Sequence, residues 1–292
     1  MAIIVNNNSR TIIQGITGTT GRTFAERMSQ HYDTFVGGVT PGKAGETVCG
    51  KPVFNFVRDA VAALGANTSI IVVPSRFVKD AVYEAVDAGI KTIWTYTDGV
   101  SVHDAVDMVH YCRMNGVRLV GPNSAGVLSP GKASAAEHNE KMLPLVPGNI
   151  GLLSKSGSLS YEVINMIYNA GFGFSTIICI GGDPVLGTTC ADVLEMFACD
   201  EETEAIVMVG ELGGTDEVDC AELIKTIKKP IVGYISGHTA PPQKKMGHAG
   251  AIAGGAGETA KEKTEVLAAA GVITVSSIEE IPEALKKLKE RI

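Results

Sequence analysis

Residues 10–22 read Arg10-Thr11-Ile12-Ile13-Gln14-Gly15-Ile16-Thr17-Gly18-Thr19-Thr20-Gly21-Arg22. A short β-branched run passes into a glycine at every third position, and the last glycine opens into an amphipathic stretch over 20–31. Strand, tight turn, helix is the unit from which open parallel sheets are built. Glycine lets backbone N–H groups come close to a ligand, and the N-terminus of the following helix favours an anion. The spacing is not G-x-G-x-x-G, so the loop reads as a phosphate-holding turn without the dinucleotide fingerprint.

The unit recurs along the chain. Apolar runs at Thr34-Phe35-Val36, Ser69-Ile70-Ile71-Val72-Val73, Thr92-Ile93-Trp94-Thr95-Tyr96 and Val117-Arg118-Leu119-Val120 alternate with helical patterns over 76–88 and 101–115. The rhythm restarts at Ile150-Gly151-Leu152-Leu153 and continues through Thr176–Ile180, Ala205–Val209, Pro230–Tyr234 and Val272–Val275. Continuous apolar strands separated by helices indicate a parallel sheet covered on both faces. The expected fold class is α/β with two doubly wound domains, residues 1–128 and 149–292. Between them, 129–148 carries Pro130, Gly131, Pro144, Pro147 and Gly148 in a polar stretch, which is linker chemistry.

A length of 292 residues suits two domains, each with its own core. The formal charge of -7 opposes non-specific nucleic-acid binding, so any anion site must be local. The six cysteines form no C-x-x-C pair and no zinc or disulfide spacing, which suits a reducing compartment. No signal-like N-terminus and no membrane-length apolar run is present. The expected setting is the cytoplasm, or the mitochondrial matrix if a transit peptide has been removed, with no membrane partner.

In open parallel sheets, ligands gather beyond the carboxyl ends of the strands. After the second strand stands Gly37-Gly38-Val39-Thr40-Pro41-Gly42-Lys43. A lysine where a dinucleotide site would place a carboxylate suits a ribose that bears a phosphate, as in coenzyme A or NADP. Gly37 and Gly42-Lys43 have Walker A spacing, but Ala44 replaces the magnesium-binding hydroxyl, Pro41 removes an N–H, and no helix pattern follows. A P-loop is therefore excluded.

In the second half, Ser154-Lys155-Ser156-Gly157 lies where a strand hands over to a helix, and Ser156 could equally be a plain N-cap. Gly181-Gly182-Asp183-Pro184 and Glu211-Leu212-Gly213-Gly214 follow the next strands. His248 lies in Met246-Gly247-His248-Ala249-Gly250-Ala251, after Lys244-Lys245 and before the glycine-rich run 253–257. An imidazole among small residues has room for a tetrahedral phosphate, and a phosphorylated histidine would split one hard transfer into two easier ones. Glu211, a carboxylate at the end of an apolar strand, could accept a hydrogen bond from one ring nitrogen and leave the other to attack phosphorus. The other histidines, His31, His103, His110, His138 and His238, carry no ligand spacing, and no metal site is expected.

Taken in order, these motifs, together with Gly121-Pro122-Asn123, closely resemble the α subunits of succinyl-CoA synthetases over essentially the whole chain. The resemblance implies a Rossmann-like CoA-binding domain followed by a flavodoxin-like domain that carries a phosphohistidine. It implies His248 as the phosphorylated residue and Glu211 as its orienting partner. It places coenzyme A on Thr17, Gly18, Thr19, Thr20, Lys43, Tyr96, Thr97 and Asp98, where Tyr96 replaces the family's aliphatic residue and Asp98 its glutamate. It places the acid near Tyr161, Asn123, Ser124, Ser156 and Gly157. It further implies an ATP-grasp β subunit, in an αβ or α2β2 heteromer, that binds ATP or GTP with Mg²⁺.

The family's Asn-Cys-Pro-Gly is Asn123-Ser124-Ala125-Gly126 here, and the loop over 132–144 lacks its Pro-Gly-His. Serine adds a donor, and loss of the proline frees an N–H. The expected reaction joins a small dicarboxylate-like acid of the succinate type to coenzyme A, and these changes admit as an alternative a more polar acid such as malate, citrate or sulfoacetate. Outside ligase chemistry, the residues also admit an NADP-linked oxidoreductase or a CoA sensor with a silent His248.

Overall fold

In the computed structural model, residues 3–138, 143–241, 244–252, 255 and 257–289 are described. They divide into two compact units, one formed by Ile4–Glu140 with Val185–Thr188, the other chiefly by Lys141–Pro184 and Thr189–Ile292.

The first unit runs β1 (Thr11–Gln14), α1 (Thr19–His31), β2 (Phe35–Val39), β3 (Thr47–Val48), β4 (Lys51–Phe54), α2 (Val57–Leu64), β5 (Thr68–Ile71), α3 (Val78–Asp87), β6 (Thr92–Thr95), α4 (Val102–Met114), β7 (Arg118–Val120), β8 (Gly126–Ser129) and β9 (Ala133–Ala136). Its sheet order is β3-β4-β2-β1-β5-β6-β7. Apart from the antiparallel β3–β4 pair, neighbours in this sheet run parallel. Leaving out β3, this is the Rossmann order, with the direction of winding changing between β1 and β5.

All four residues of β1 are buried, as a central strand covered on both faces requires. The one long polar side chain among them, Gln14, accepts from Ser69 Oγ at 2.8 Å and donates to the Ala81 carbonyl at 3.1 Å. Gly21, Phe24, Ala25 and Met28 form the buried stripe of α1. A Cβ on Gly21 would lie 2.3 Å from the Gly15 oxygen, so the spacing of the glycines lets helix and turn touch.

The second unit runs β10 (Pro147–Ser154), α5 (Gly157–Asn169), β11 (Phe174–Cys179), α6 (Cys190–Cys199), β12 (Ala205–Glu211), α7 (Ala221–Ile224), β13 (Ile231–Ser236), α8 (Ala260–Ala269), β14 (Ile273–Thr274) and α9 (Ile281–Lys289). Its parallel strands lie in the order β14-β13-β12-β10-β11, the flavodoxin arrangement. Both α6 and α8 begin with reciprocal capping boxes, Thr189 with Asp192 and Thr259 with Glu262, each side chain satisfying an N–H that the helix leaves open.

The strands read from the sequence, and the helices over 20–31, 76–88 and 101–115, match elements of the structure with small differences at their ends; β3, β4, α2 and β8 have no counterpart in that reading. The stretch 129–148, expected as linker, holds β9 and the start of β10, because Pro130-Gly131 turns an antiparallel hairpin that pairs Val127 with Ala135 and Leu128 with Ser134. Asn139–Met142 of that stretch lie outside the described residues. Among the described residues, no helix is long and apolar enough to cross a membrane.

Candidate functional site

Each unit presents a site at the carboxyl ends of its strands. In the first, a cavity of about 540 Å³ opens where β1, β2 and β5 end, lined by Gly15, Thr17, Gly18, Val39, Thr40 and Pro41 from the loops and by Phe77 from α3's approach. Thr17 Oγ1 donates to Thr40 Oγ1 at 3.2 Å, which ties the glycine loop to the end of β2. Gly18 is the N-cap of α1 and has no side chain to cap with, so it leaves the first-turn amides uncapped, and Thr19 and Thr20 are exposed there. The arrangement can hold an anionic group at the helix end and an apolar one in the cavity.

Lys43 is half-exposed and lies 3.0 Å from Glu46. The turn after β2 brings Glu46 back to it, so an incoming phosphate would compete with that partner. Tyr96 follows β6 and packs edge-on to Phe24, ring centroids 5.2 Å apart. Burial, reinforced by the Glu137 carboxylate, pushes its phenol up from the usual tyrosine range. Thr97 Oγ1 donates to the Val73 carbonyl at 2.8 Å, and Asp98 is exposed and accepts the Gly99 N–H at 2.6 Å. Asn123 adopts a left-handed backbone and donates its N–H to the Thr97 carbonyl at 3.1 Å. Ser124 is buried; its hydroxyl oxygen accepts the Gly126 N–H at 2.9 Å and its carbonyl accepts the Trp94 indole N–H, also at 2.9 Å. The hydroxyl read as a substrate contact serves the backbone of the β8 turn.

The second unit assembles His248 and Glu211, which are 37 positions apart. Glu211 ends β12, and its Oε2 lies 2.6 Å from His248 Nδ1. An ionised carboxylate can only accept there, which makes Nδ1 the donor; in the neutral form of the ring the lone pair is then on Nε2. The ring rests on Gly182, where a Cβ would stand 2.2 Å from Cγ and 2.4 Å from Nδ1. The loop is fixed by Gly250 N–H donating to the Gly182 carbonyl at 3.0 Å and by Met246 N–H donating to Ala251 at 2.9 Å. The His248 side chain keeps 29 % of its surface exposed and Glu211 10 %, a pair open on the histidine side. Ala253, Gly254 and Ala256 of the glycine-rich run lie outside the described residues.

Ser156 is the N-cap of α5 and accepts the Leu159 N–H at 3.2 Å, with Gly157 as the first helical residue. Tyr161 is half-buried on the first turns of the same helix.

Beneath Glu211 lies a charged group that sequence reasoning missed. Glu217 and Lys263 are fully buried and joined at 2.6 Å, and Lys155, 10 % exposed, reaches the same Glu217 oxygen at 3.2 Å. Burial alone would lower the Lys155 ammonium; the carboxylates around it, chiefly Glu217, overcome this and raise it above the ordinary lysine range. Of these three residues only Lys155 stands inside a motif read from the sequence.

His103, Asp104 and Asp107 on α4 form a cluster of potential metal ligands, but their carboxylates hold the Lys79 ammonium at 2.6 and 3.2 Å.

Two family models match the chain, a CoA binding domain over residues 6–99 and a CoA-ligase over residues 153–273. Over 288 residues, 99 % of this chain and 100 % of the relative, it is 44 % identical to a succinate–CoA ligase [ADP-forming] subunit alpha 2 of Archaeoglobus fulgidus. This chain belongs to the α-subunit family of the ADP-forming succinate–CoA ligases. An Aquifex aeolicus α subunit of that ligase is 46 % identical over 99 % of the chain and 95 % of its own length. A malate–CoA ligase subunit alpha of Methylorubrum extorquens is 42 % identical over 93 % of each chain. The ATP citrate lyase of Methanothrix soehngenii, solved with citrate and coenzyme A, shares the fold at a TM-score of 0.90 and 22 % identity, covering 99 % of this chain and 51 % of that one. In family terms, the first unit holds the matched CoA-binding segment and the second the matched ligase segment, and the chain is an acid–thiol ligase subunit.

Proposed function

We propose that this α subunit joins a small dicarboxylate of the succinate type to coenzyme A through a phosphohistidine at His248 and an acyl phosphate. The observation that carries the reading is the 2.6 Å contact of His248 Nδ1 with Glu211, made by a ring seated on Gly182. Nε2 attacks the γ-phosphorus of ATP, and the bond to the β,γ-bridging oxygen breaks to release ADP. A carboxylate oxygen of the acid then attacks that phosphorus and the N–P bond breaks, returning neutral imidazole and forming the acyl phosphate. The CoA thiolate attacks the acyl carbon, the carbon–oxygen bond to phosphate breaks, and thioester and phosphate result.

In the first two steps Glu211 stabilises whatever positive charge develops on the ring, and positioning supplies much of the rest. Coenzyme A would lie on Thr17, Gly18, Thr19, Thr20, Lys43, Tyr96, Thr97 and Asp98. Tyr161, Asn123, Ser124, Ser156 and Gly157 would border the acid, Ser124 through the turn it holds. The relatives are named as α subunits, which supports a β-subunit partner; an ATP-grasp chain binding the nucleotide and Mg²⁺ completes the reading.

The test is incubation of the heteromer with γ-labelled ATP, followed by thioester formation with succinate, malate, citrate and sulfoacetate in parallel. An acid-labile, alkali-stable label lost in His248→Asn is expected. An unlabelled chain, or undiminished turnover in His248→Asn, overturns the phosphohistidine and favours a CoA-sensing role. The malate–CoA ligase relative justifies the wider panel; a clear preference for succinate removes the more polar acids.

A further inference from the structure

We infer that the buried Glu217–Lys263 pair is a positioning device for the reaction, acting through the backbone of Glu211. The inference rests on the phosphohistidine reading above. A lysine ammonium has three donors and no acceptor. In Lys263 the three contacts go to the Glu211 carbonyl at 2.8 Å, the Gly213 carbonyl at 2.7 Å and Glu217 Oε2 at 2.6 Å. The other Glu217 oxygen accepts the Glu211 N–H at 3.1 Å. Both backbone polar groups of Glu211 are thus held by one ion pair, and Glu211 is the residue whose carboxylate holds the His248 ring.

The same clamp extends to the histidine loop. Gly213, whose carbonyl Lys263 grips, lies so close to that loop that a Cβ on it would stand 2.2 Å from the Gly250 oxygen. Lys263 therefore fixes the carboxylate and the wall of the loop that carries the imidazole. A pair that is wholly desolvated gives little or no net stability over apolar side chains of the same size, because the loss of hydration offsets the attraction. What it does supply is direction: two strong, charge-assisted contacts aimed at one residue. Lys155 adds a second cation at the same Glu217 oxygen, 3.2 Å away.

The experiment uses the full heteromer with four variants: Lys263→Met/Glu217→Gln, Glu217→Gln alone, Lys263→Arg, and Lys261→Met as a control. Lys261 is on the same helix but 81 % exposed. Single-turnover transfer from γ-labelled ATP to His248 is measured at saturating nucleotide, together with the KM for coenzyme A, the melting temperature, and the ring tautomer by nitrogen NMR of labelled histidine. Because the double variant also strips Lys155 of its carboxylate and leaves the Glu211 and Gly213 carbonyls without their donor, its melting temperature should fall; scored per folded heteromer, it should phosphorylate about 10–100-fold more slowly, the range that removal of an orienting partner commands. Its KM for coenzyme A should be unchanged, its His248 signals should show mixed tautomers, and Lys263→Arg should recover part of the rate. Glu217→Gln, which leaves the Lys263 and Lys155 ammoniums facing a neutral amide, should slow transfer in the same sense at a lower melting temperature; where neither assembles, Lys263→Arg, which keeps the charge, serves, with a rate below wild type expected. Wild-type transfer rates in the double variant or in Glu217→Gln, or losses that only track the folded fraction, would overturn the inference. If the wild-type chain takes no label at all, the failure belongs to the phosphohistidine reading instead.

Discussion

Gly182→Ala tests the His248 site with a single methyl group. Gly182 is absent from the positive-φ positions of the backbone, unlike its neighbour Gly181 at φ 112°, so alanine meets no conformational objection there. The whole effect must come from contact. The added carbon would lie 2.2 Å from His248 Cγ, against a comfortable carbon–carbon separation of about 3.5–4.0 Å. The ring, or the loop bearing it, must retreat by more than about 1 Å, further than the 2.6 Å bond to Glu211 can stretch and remain a good hydrogen bond.

Misplacement of a reacting group by about 1 Å costs on the order of 100-fold in rate, equivalent to about 2.7 kcal/mol of barrier. The assay is single-turnover labelling of the heteromer with γ-labelled ATP, read beside a melting curve. A folded Gly182→Ala heteromer should be labelled about 100-fold more slowly, while the KM for coenzyme A, which the first unit would bind, stays put. Labelling at the wild-type rate would show that the ring need not occupy this seat to react, and would refute the argument from geometry.

Glu211→Gln keeps the shape but makes the partner neutral and able to present either end of an amide; phosphorylation should slow by about 100-fold or more in the same assay. Lys43→Met should raise the KM for coenzyme A but leave that for dephospho-coenzyme A nearly unchanged, if the lysine leaves Glu46 to meet the ribose phosphate; equal effects on both would disconnect Lys43 from that phosphate. His138 is buried and its imidazole is pushed down from 6.5 to about 4 by burial. Between those values the unfolded chain binds the extra proton, so stability is intact above pH 6.5 and declines toward pH 4, by up to about 3 kcal/mol. Urea titrations across that range should show a shallower acid loss in His138→Leu, and an identical slope in both proteins would exclude His138 as the source.

The two doubly wound units were legible because a covered parallel strand carries adjacent apolar residues on both faces, as at Ile12-Ile13 and Ile177-Ile178, and because the turns after such strands need glycine where backbone meets backbone, as at Gly21. Short elements were not. The β3–β4 hairpin pairs only Thr47 with Pro52 and Val48 with Lys51, too few residues for a periodic signal, and β9 sits in a stretch whose proline and glycine signal a turn without saying that strands flank it. The meeting of His248 with Glu211 could be suggested from chemistry, since each stands in a place where a surface role does not require it. Their distance depends on loop closure that no local pattern records.

The charged floor of the site was illegible for a deeper reason. Periodicity reports burial only through apolar residues, so a side chain that is both charged and buried is read as surface by the rule that finds the core. Lys263 sits on the inward face of α8 with Ala260 and Leu267, the positions three before and four after it. The charge stands at the centre of that stripe, and it is shared there by Glu217, in a loop 46 positions away. A lysine in the middle of an otherwise apolar helical stripe is thus a usable signal: it asks for a buried acid elsewhere in the chain. In this chain the acid at that address also holds the N–H of the residue that orients His248, so the exception to the burial rule and the candidate chemistry meet at the same strand end.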